Sequence, residues 1–553
     1  MAGLAAAFGS GAMTNSIAEL EHADVILLTG SNPTENHPVI SNVMKRGIMQ
    51  NGTKLIVVDP RAIDMTRFAT HWLRQRSGSD VAWLNGMMHV ILEEGLYDKQ
   101  YVEERTEGFE ALKEVVKKYT PAHVEEISGI PAQDLVAAAR LYGSAKKASI
   151  CYAMGITQHI TGTDNVKSLA NLAMLCGNVG IESGGVNPLR GQNNVQGACD
   201  TGALPNVYTG YQKVGDPAAQ EKFGEAWGAT LPDKPGLTIV EIMNGAHEGK
   251  IKGLYIMGEN PMVSDPDITH VEESLKHLEF LVVQDIFLTE TAQLADVVLP
   301  AVSFAEKDGT FTNTERRVQR VRKAVEPVGQ SRSDWEILAD LATRMGSPMS
   351  YESAEDVFEE IRSLTPSYAG ITYGRIDKEG LQWPCPNVDH PGTRYLHRDR
   401  FTRGKGLFHA VEYIPPAELP DDAYPLMLTT GRVLYQYHTA SMTGRCEGLQ
   451  FLYPKGFVEI HERDASALGI EDQQVVRVSS RRGSIEITAQ VTDRSMPGSV
   501  FIPFHFFEAA ANRLTHSELD PIGKIPEFKV CAVKVEPLSV SSGLSEESTS
   551  AAV

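Results

Sequence analysis

This chain of 553 residues has little cysteine: Cys151, Cys176, Cys199, Cys385, Cys446 and Cys531, with no C-x-x-C pair among them. That scatter excludes a disulfide framework and a self-contained zinc or iron–sulfur site, so no metal ligand is assigned and a reducing, cytoplasmic location is expected. No run approaches the ~20 apolar residues of a membrane span, which argues against direct membrane insertion. The opening MAGLAAAFGSGAMTNS lacks the charged and sustained apolar regions of a secretion signal. Basic residues are outnumbered 51 to 71, and a formal charge of -20 disfavours nucleic acid as a partner. G-x-G-x-x-G is missing too, which disfavours a nicotinamide dehydrogenase.

What is present is an internal echo. Residues 23–59 run ADVILLTGSNPTENHPVISNVMKRGIMQNGTKLIVVD, an apolar strand, a G-x-N-P turn, a helical pattern and a second strand ending in Asp59. Residues 250–285 repeat the plan, with G-E-N-P at 258–261 and Asp285 at the end. The spacing is 27 positions from Asn32 to Asp59 and 25 from Asn260 to Asp285. Each reads as a βαβ unit whose glycine, Gly30 or Gly258, turns the chain so that amides face a phosphate, while the aspartate meets sugar or base. Two copies predict two nucleotide-like ligands.

A mainly helical stretch, 81–145, separates the first unit from a strand at KASICY and a helix ending near Gly177. After the proline-rich 412–425, short β runs with an RRG hairpin turn at 481–483 predict a barrel-like domain. The expected fold is therefore α/β, two doubly wound dinucleotide-binding-like domains plus a C-terminal β-barrel-like domain. Their bounds are 1–192, 193–411 and 412–537, followed by a Ser-rich tail, 538–553, expected to be disordered.

Residues 186–200, VNPLRGQNNVQGACD, set one arginine, Arg190, among neutral amides. On the residues alone this is a loop arginine in a structural hydrogen-bond network; the resemblance set out next implies instead that its planar guanidinium grips a carboxylate by two parallel charge-assisted hydrogen bonds, held by amides that do not neutralise it.

That loop, with MGITQHITGTDNVKSLANLAMLCGNVG, GENP, QDIFLTETAQLADVVLP, TNTERRVQ and SMTG, resembles the catalytic subunit of molybdenum or tungsten formate dehydrogenases, in the dimethyl-sulfoxide-reductase family of molybdopterin enzymes. The resemblance runs from Ala2 to about Pro537. It implies a metal held between two molybdopterin guanine dinucleotides. Gly30, Asn32, Asp59, Arg61, Gly78, Asp80 and Gly155 would contact one dinucleotide, and Gly258, Glu259, Asn260, Asp285 and Thr289 the other. Arg432, His438, Asn512 and Lys529 would cover the pterins, with Arg190 and Gln192 catalytic. It also implies oxidation of formate to CO2, or the reverse, and electron-transfer partner subunits carrying iron–sulfur or flavin centres. Such enzymes carry a cysteine-rich [4Fe-4S] domain and a Cys/Sec–His pair, neither found in these 553 residues. The expectation is a downstream part of a catalytic subunit, split at a selenocysteine codon and inactive alone. Alternatives are an enzyme of the same family acting on an oxo-substrate such as nitrate, and a non-catalytic structural subunit of an electron-transfer complex.

Overall fold

The computed structural model describes residues 1–538; the expected disordered tail, from residue 539 on, lies outside the described residues. Five parallel strands form the first sheet: β1 (Val25–Thr29), β2 (Lys54–Val58), β3 (His71–Leu73), β4 (Ala148–Tyr152) and β5 (Val186–Pro188), in the order β3-β2-β1-β4-β5. β1 and β4 are buried at every position, which is why they read as unbroken apolar runs.

Period-two alternation sends Val25 and Leu27 to one face and Ile26 and Leu28 to the other. The first face packs against α3 (Asp80–Glu93), α4 (Ala132–Gly143) and α5 (Gly162–Leu175), with α1 (Ala2–Phe8) laid on α5. Helix α2 (Pro38–Gln50) covers the second face through Ile40, Val43 and Met44. The first unit is thus doubly wound, as its pattern predicts.

The second unit is smaller. Strands β6 (Gly253–Met257), β7 (Phe280–Asp285) and β8 (Val297–Pro300) run parallel in the order β8-β7-β6. Helices α6 (Ile239–His247) and α7 (Ile268–Lys276) pack on one face.

TNTERR forms the turn of an antiparallel pair, Gly309–Thr312 with Arg317–Val321. Arg316 at that turn is fully buried at φ 68°. Its guanidinium donates to the carbonyls of Met13, Thr393, Arg394 and Trp383, so peptide dipoles replace its water.

The C-terminal region is a closed six-stranded barrel: β9 (Leu426–Gly431), β10 (Phe457–His461), β11 (Val475–Ser479), β12 (Ser484–Thr492), β13 (Ser499–Pro503) and β14 (Cys531–Pro537), ordered β9-β13-β10-β12-β11-β14. The RRG turn joins β11 to β12, with the Ser480 amide donating to the Gly483 carbonyl. The sequence reading named no strand at 531–537, yet β14 closes the barrel by pairing with both β9 and β11. Among the described residues no helix is long and apolar enough to cross a membrane.

Candidate cofactor and substrate site

A cleft of about 1310 Å³, counting its solvent mouth, opens where the carboxyl ends of β1, β2 and β4 meet the barrel. That position is the ligand crevice of an open parallel sheet. Two glycines make it possible. A Cβ on Gly155 would lie 2.5 Å from the Gly30 Cα, and Gly30 sits at φ 54°, so the loops after β1 and β4 touch through bare backbone.

The cleft gathers Gly30, Asn32, Asp59, Arg61, Gly78, Asp80, Gly155 and Gln192 with Arg432, His438, Asn512 and Lys529 from the barrel. These come from stretches of chain scattered between positions 30 and 529. Burial pushes Asp59 up to about 6, against the Arg61 amide that donates to its carboxylate at 2.9 Å. Burial, with Arg432 nearby, pulls Lys529 down to about 7, while its ammonium donates to the Thr430 carbonyl at 2.6 Å. His438 is lowered to about 4 by burial and Arg432, and is neutral at pH 7.

Arg61 differs from the other cations. Its fork is spent on Glu459 of β10 at 2.8 and 3.0 Å, and its guanidinium lies 3.5 Å above the Phe501 ring. Arg61 lines the cleft as a clamp between sheet and barrel. Arg432 and Lys529, by contrast, have no carboxylate within salt-bridge distance among the described residues, which suits a phosphate-bearing ligand.

Buried polar atoms without partners mark the same cleft: both amide atoms of Asn32, Ser31 Oγ, Gln75 Oε1, His159 Nδ1 and Asn512 Oδ1. Native interiors rarely leave such groups unpaired, and a cluster of them on one wall calls for a polar ligand. With glycine turns at strand ends and two uncompensated cations, this donor set fits a phosphate-bearing dinucleotide.

The second predicted set stands apart from this cleft. Asn260 is consumed locally: its oxygen accepts from Thr291 Oγ1 at 2.7 Å and its amide donates to Glu290 at 2.8 Å. Thr289 is fully buried and caps Ala292. Gly258 and Glu259 are exposed, and Asp285 accepts from the Phe287 amide at 3.1 Å. Asn512 links the two regions, because it lines the cleft and donates to the carbonyls of Val263 and Ser264.

Arg190 itself is not among the residues lining the cleft. Gly191 and Gln192 line the cleft, but the Arg190 Nη1 reaches only Cys199 Sγ, at 3.8 Å, and its Nε is buried without an acceptor. One expectation is corrected here: the surrounding amides do not hold the guanidinium. Asn187 accepts from the Asn15 amide and donates to Ser149, Asn194 accepts from Thr312, and Gln196 donates to Asp200. They build the loop, since a stretch without long helix or strand must satisfy its backbone with side chains. What fixes the loop from outside is His37, bonded at 2.9 Å to the Arg190 carbonyl, and Thr314, which accepts from the Arg190 amide.

Three contributors escaped the sequence reading. His37 and Gln158 enter the cleft or its loop from within recognised motifs. Asp200, buried beneath the Arg190 loop, accepts from Gln196, Tyr211, Tyr368 and Trp383 at 2.6–2.7 Å. No local signal marks it, because its partners span 187 positions of sequence, from 196 to 383.

Cleft, barrel cap and uncompensated cations define a dinucleotide-cofactor protein, and comparison gives its family. Residues 3–344 match Molybdopterin oxidoreductase and residues 426–532 match Molydopterin dinucleotide binding domain. The chain belongs to the molybdopterin oxidoreductases. Within it, the chain is 53% identical over 538 residues to the F420-dependent formate dehydrogenase subunit alpha of Methanocaldococcus jannaschii, covering 97% of this chain and 79% of that protein. It is 44% identical to formate dehydrogenase H of Escherichia coli, covering 98% and 76%. Acetylene hydratase from Pelobacter acetylenicus shares the fold at TM-score 0.77 and 21% identity, over 97% and 80% of the two chains.

Proposed function

We propose that this chain is the alpha subunit, or a large part of it, of a formate dehydrogenase, oxidising formate to CO2 or running the reverse. The observation that carries the substrate is Arg190: a guanidinium with a buried, unpartnered Nε and no carboxylate within salt-bridge distance among the described residues. Such a fork is complementary to a small carboxylate, and the neutral thiol beside it, raised by burial, does not compete for its charge. The identity to formate dehydrogenase alpha subunits over 97% of the chain supports the same reading.

Arg432 and Lys529 would take the phosphates of one dinucleotide, Asp59 and Asp80 its hydroxyl or base N–H groups, and Gln192 would sit between cofactor and Arg190. Gly258, Glu259 and Asp285 would meet a second dinucleotide, with Asn260 and Thr289 shaping its turn. When bound, the cofactor supplies the redox-active metal that takes up two electrons from formate, chemistry that none of these side chains provides. The protein orients the carboxylate and keeps its charge paired as the C–H bond breaks. Electron-transfer subunits with iron–sulfur or flavin centres would receive the electrons. A division at 192 and 411 would give each α/β domain one dinucleotide. The proposed split at a selenocysteine codon is tested by the upstream DNA: absence of an in-frame TGA followed by a histidine codon rejects it.

In the metal-loaded holoenzyme, Arg190→Ala should lower kcat/KM for formate by at least about 100-fold, the cost of truncating one member of a paired buried charge. Cofactor content should not change. Wild-type turnover by that variant refutes the assignment. A structural-subunit reading instead predicts that the purified protein binds no guanine dinucleotide.

A further inference from the structure

At the back of the cleft two carboxylates are buried with one imidazole between them. Asp80, at the start of α3, and His159, in the loop after β4, line the cleft at 2% exposure each. Glu527, ahead of β14, is 1% exposed. The His159 Nε2 stands 3.8 Å from Asp80 Oδ2, and its Nδ1 stands 3.6 Å from Glu527 Oε1. Among the described residues no lysine or arginine is within salt-bridge distance of either carboxylate.

Hydrogen-bond chemistry fixes where the protons are. The Gly155 carbonyl, 2.9 Å from His159 Nε2, can only accept, so Nε2 carries a hydrogen. Nδ1 has no hydrogen-bond partner and faces Glu527. The Glu527 carboxylate accepts from the Ile160 and Ala417 amides at 3.2 and 3.0 Å, bonds that favour its ionised form. A lone pair on Nδ1 would repel that charge, whereas a second proton is drawn to it. His516 also stands 3.6 Å from Glu527, but its Nε2 donates to the Val530 carbonyl at 3.0 Å and its Nδ1 accepts from the Glu518 amide at 3.3 Å. One donor and one acceptor make a neutral imidazole, so His516 is no counter-ion. On the cleft side, Asp80 accepts from Trp83 Nε1 at 3.2 Å; burial raises it, and His159 is the first group opposing that rise.

We propose that His159 is an imidazolium shared by Asp80 and Glu527, a positioning residue that keeps Asp80 ionised and therefore purely an acceptor toward the dinucleotide's base. The role rests on the reading that Asp80 meets base N–H groups. An ionised carboxylate takes the adjacent N1–H and N2–H donors of guanine, whereas adenine presents an acceptor at N1, which only a protonated carboxyl can meet. Selectivity for guanine then depends on a charge set behind Asp80.

Two measurements on the cofactor-free chain test this. Nitrogen NMR of the histidine-labelled chain near neutral pH should show a doubly protonated ring whose signal is missing from His159→Gln and which becomes neutral in Glu527→Gln. GDP should bind both variants at least about tenfold more weakly, the worth of a hydrogen bond to a charged group, while ADP affinity is unchanged. A merely structural role would weaken GDP and ADP together. A neutral His159 ring in the unmutated chain, a ring still doubly protonated in Glu527→Gln, or parallel losses for the two nucleotides overturns the assignment. If His159→Gln does not fold, Glu527→Gln and the unmutated chain decide it. GDP binding that Asp80→Asn weakens and His159→Gln does not overturns the role of His159 alone; no GDP binding by the unmutated chain, or none lost in Asp80→Asn, removes the placing of Asp80 as well.

Discussion

At the scale of single residues, the cleft balances groups whose burial opposes their charge. The folded Asp59 holds its proton up to about 6, against an ordinary 3.8, so between those values the folded chain binds the extra proton and its contribution to stability falls as pH rises. Lys529 is the opposite case. Its folded value of about 7, against 10.5, means that the unfolded chain holds the extra proton across that window, and stability rises with pH. Thermal melts of the cofactor-free chain should show Asp59→Asn flattening the fall between pH 4 and 6, and Lys529→Met flattening the rise above pH 7. Gly155→Ala tests the backbone contact. Its new Cβ would sit 2.5 Å from Gly30 Cα, and an overpacking cost of about 1–3 kcal/mol should appear in denaturant melts, together with reduced dinucleotide loading.

Between elements, the Arg61–Glu459 pair is the clearest clamp. Glu459 is fully buried on β10 and also meets Arg494 at 3.3 Å, so one carboxylate compensates two cations at the joint of sheet and barrel. Glu459→Ala leaves Arg61 without its salt-bridge partner, while Arg494 keeps Glu35 at 3.4 Å, and should destabilise by about 3–5 kcal/mol. Limited proteolysis between residues 412 and 425 should accelerate if the barrel loosens as a unit. Element identity was largely legible in sequence. The apolar runs of β1, β2 and β4, the G-x-N-P turns and the RRG hairpin all carry local chemistry that dictates local geometry. β14 was not, because nothing local in CAVKVEP marks the two distant strands, β9 and β11, that it joins. The amides around Arg190 misled for a related reason: amides suit a charged side chain and a loop backbone equally well, and only their partners distinguish the two.

Over the whole molecule, the cleft exists only because strand ends as far apart in sequence as Thr29 and Tyr152 meet the barrel. The nearly equal spacing of the two Gly-x-Asn-Pro units predicted two alike sites, yet Asn260 is consumed by Thr291 and Glu290 while Asn32 is left with both amide atoms free. Titrating the cofactor-free chain with a guanine nucleotide should therefore protect the loops at residues 30–37 and 153–159 from hydrogen exchange more than those at 258–261. Equal protection would show that the asymmetry disappears on binding.

The order of amino acids alone determined the βαβ units, the barrel-forming runs and a lone arginine in an amide-rich loop, because hydrophobic period, turn residues and side-chain chemistry act over a few positions. Only the tertiary structure decided that Arg61 is neutralised while Arg190 is not, and that Asp200 gathers four donors. Those outcomes depend on which distant groups arrive at the same few ångströms, a matter of packing that no local pattern encodes.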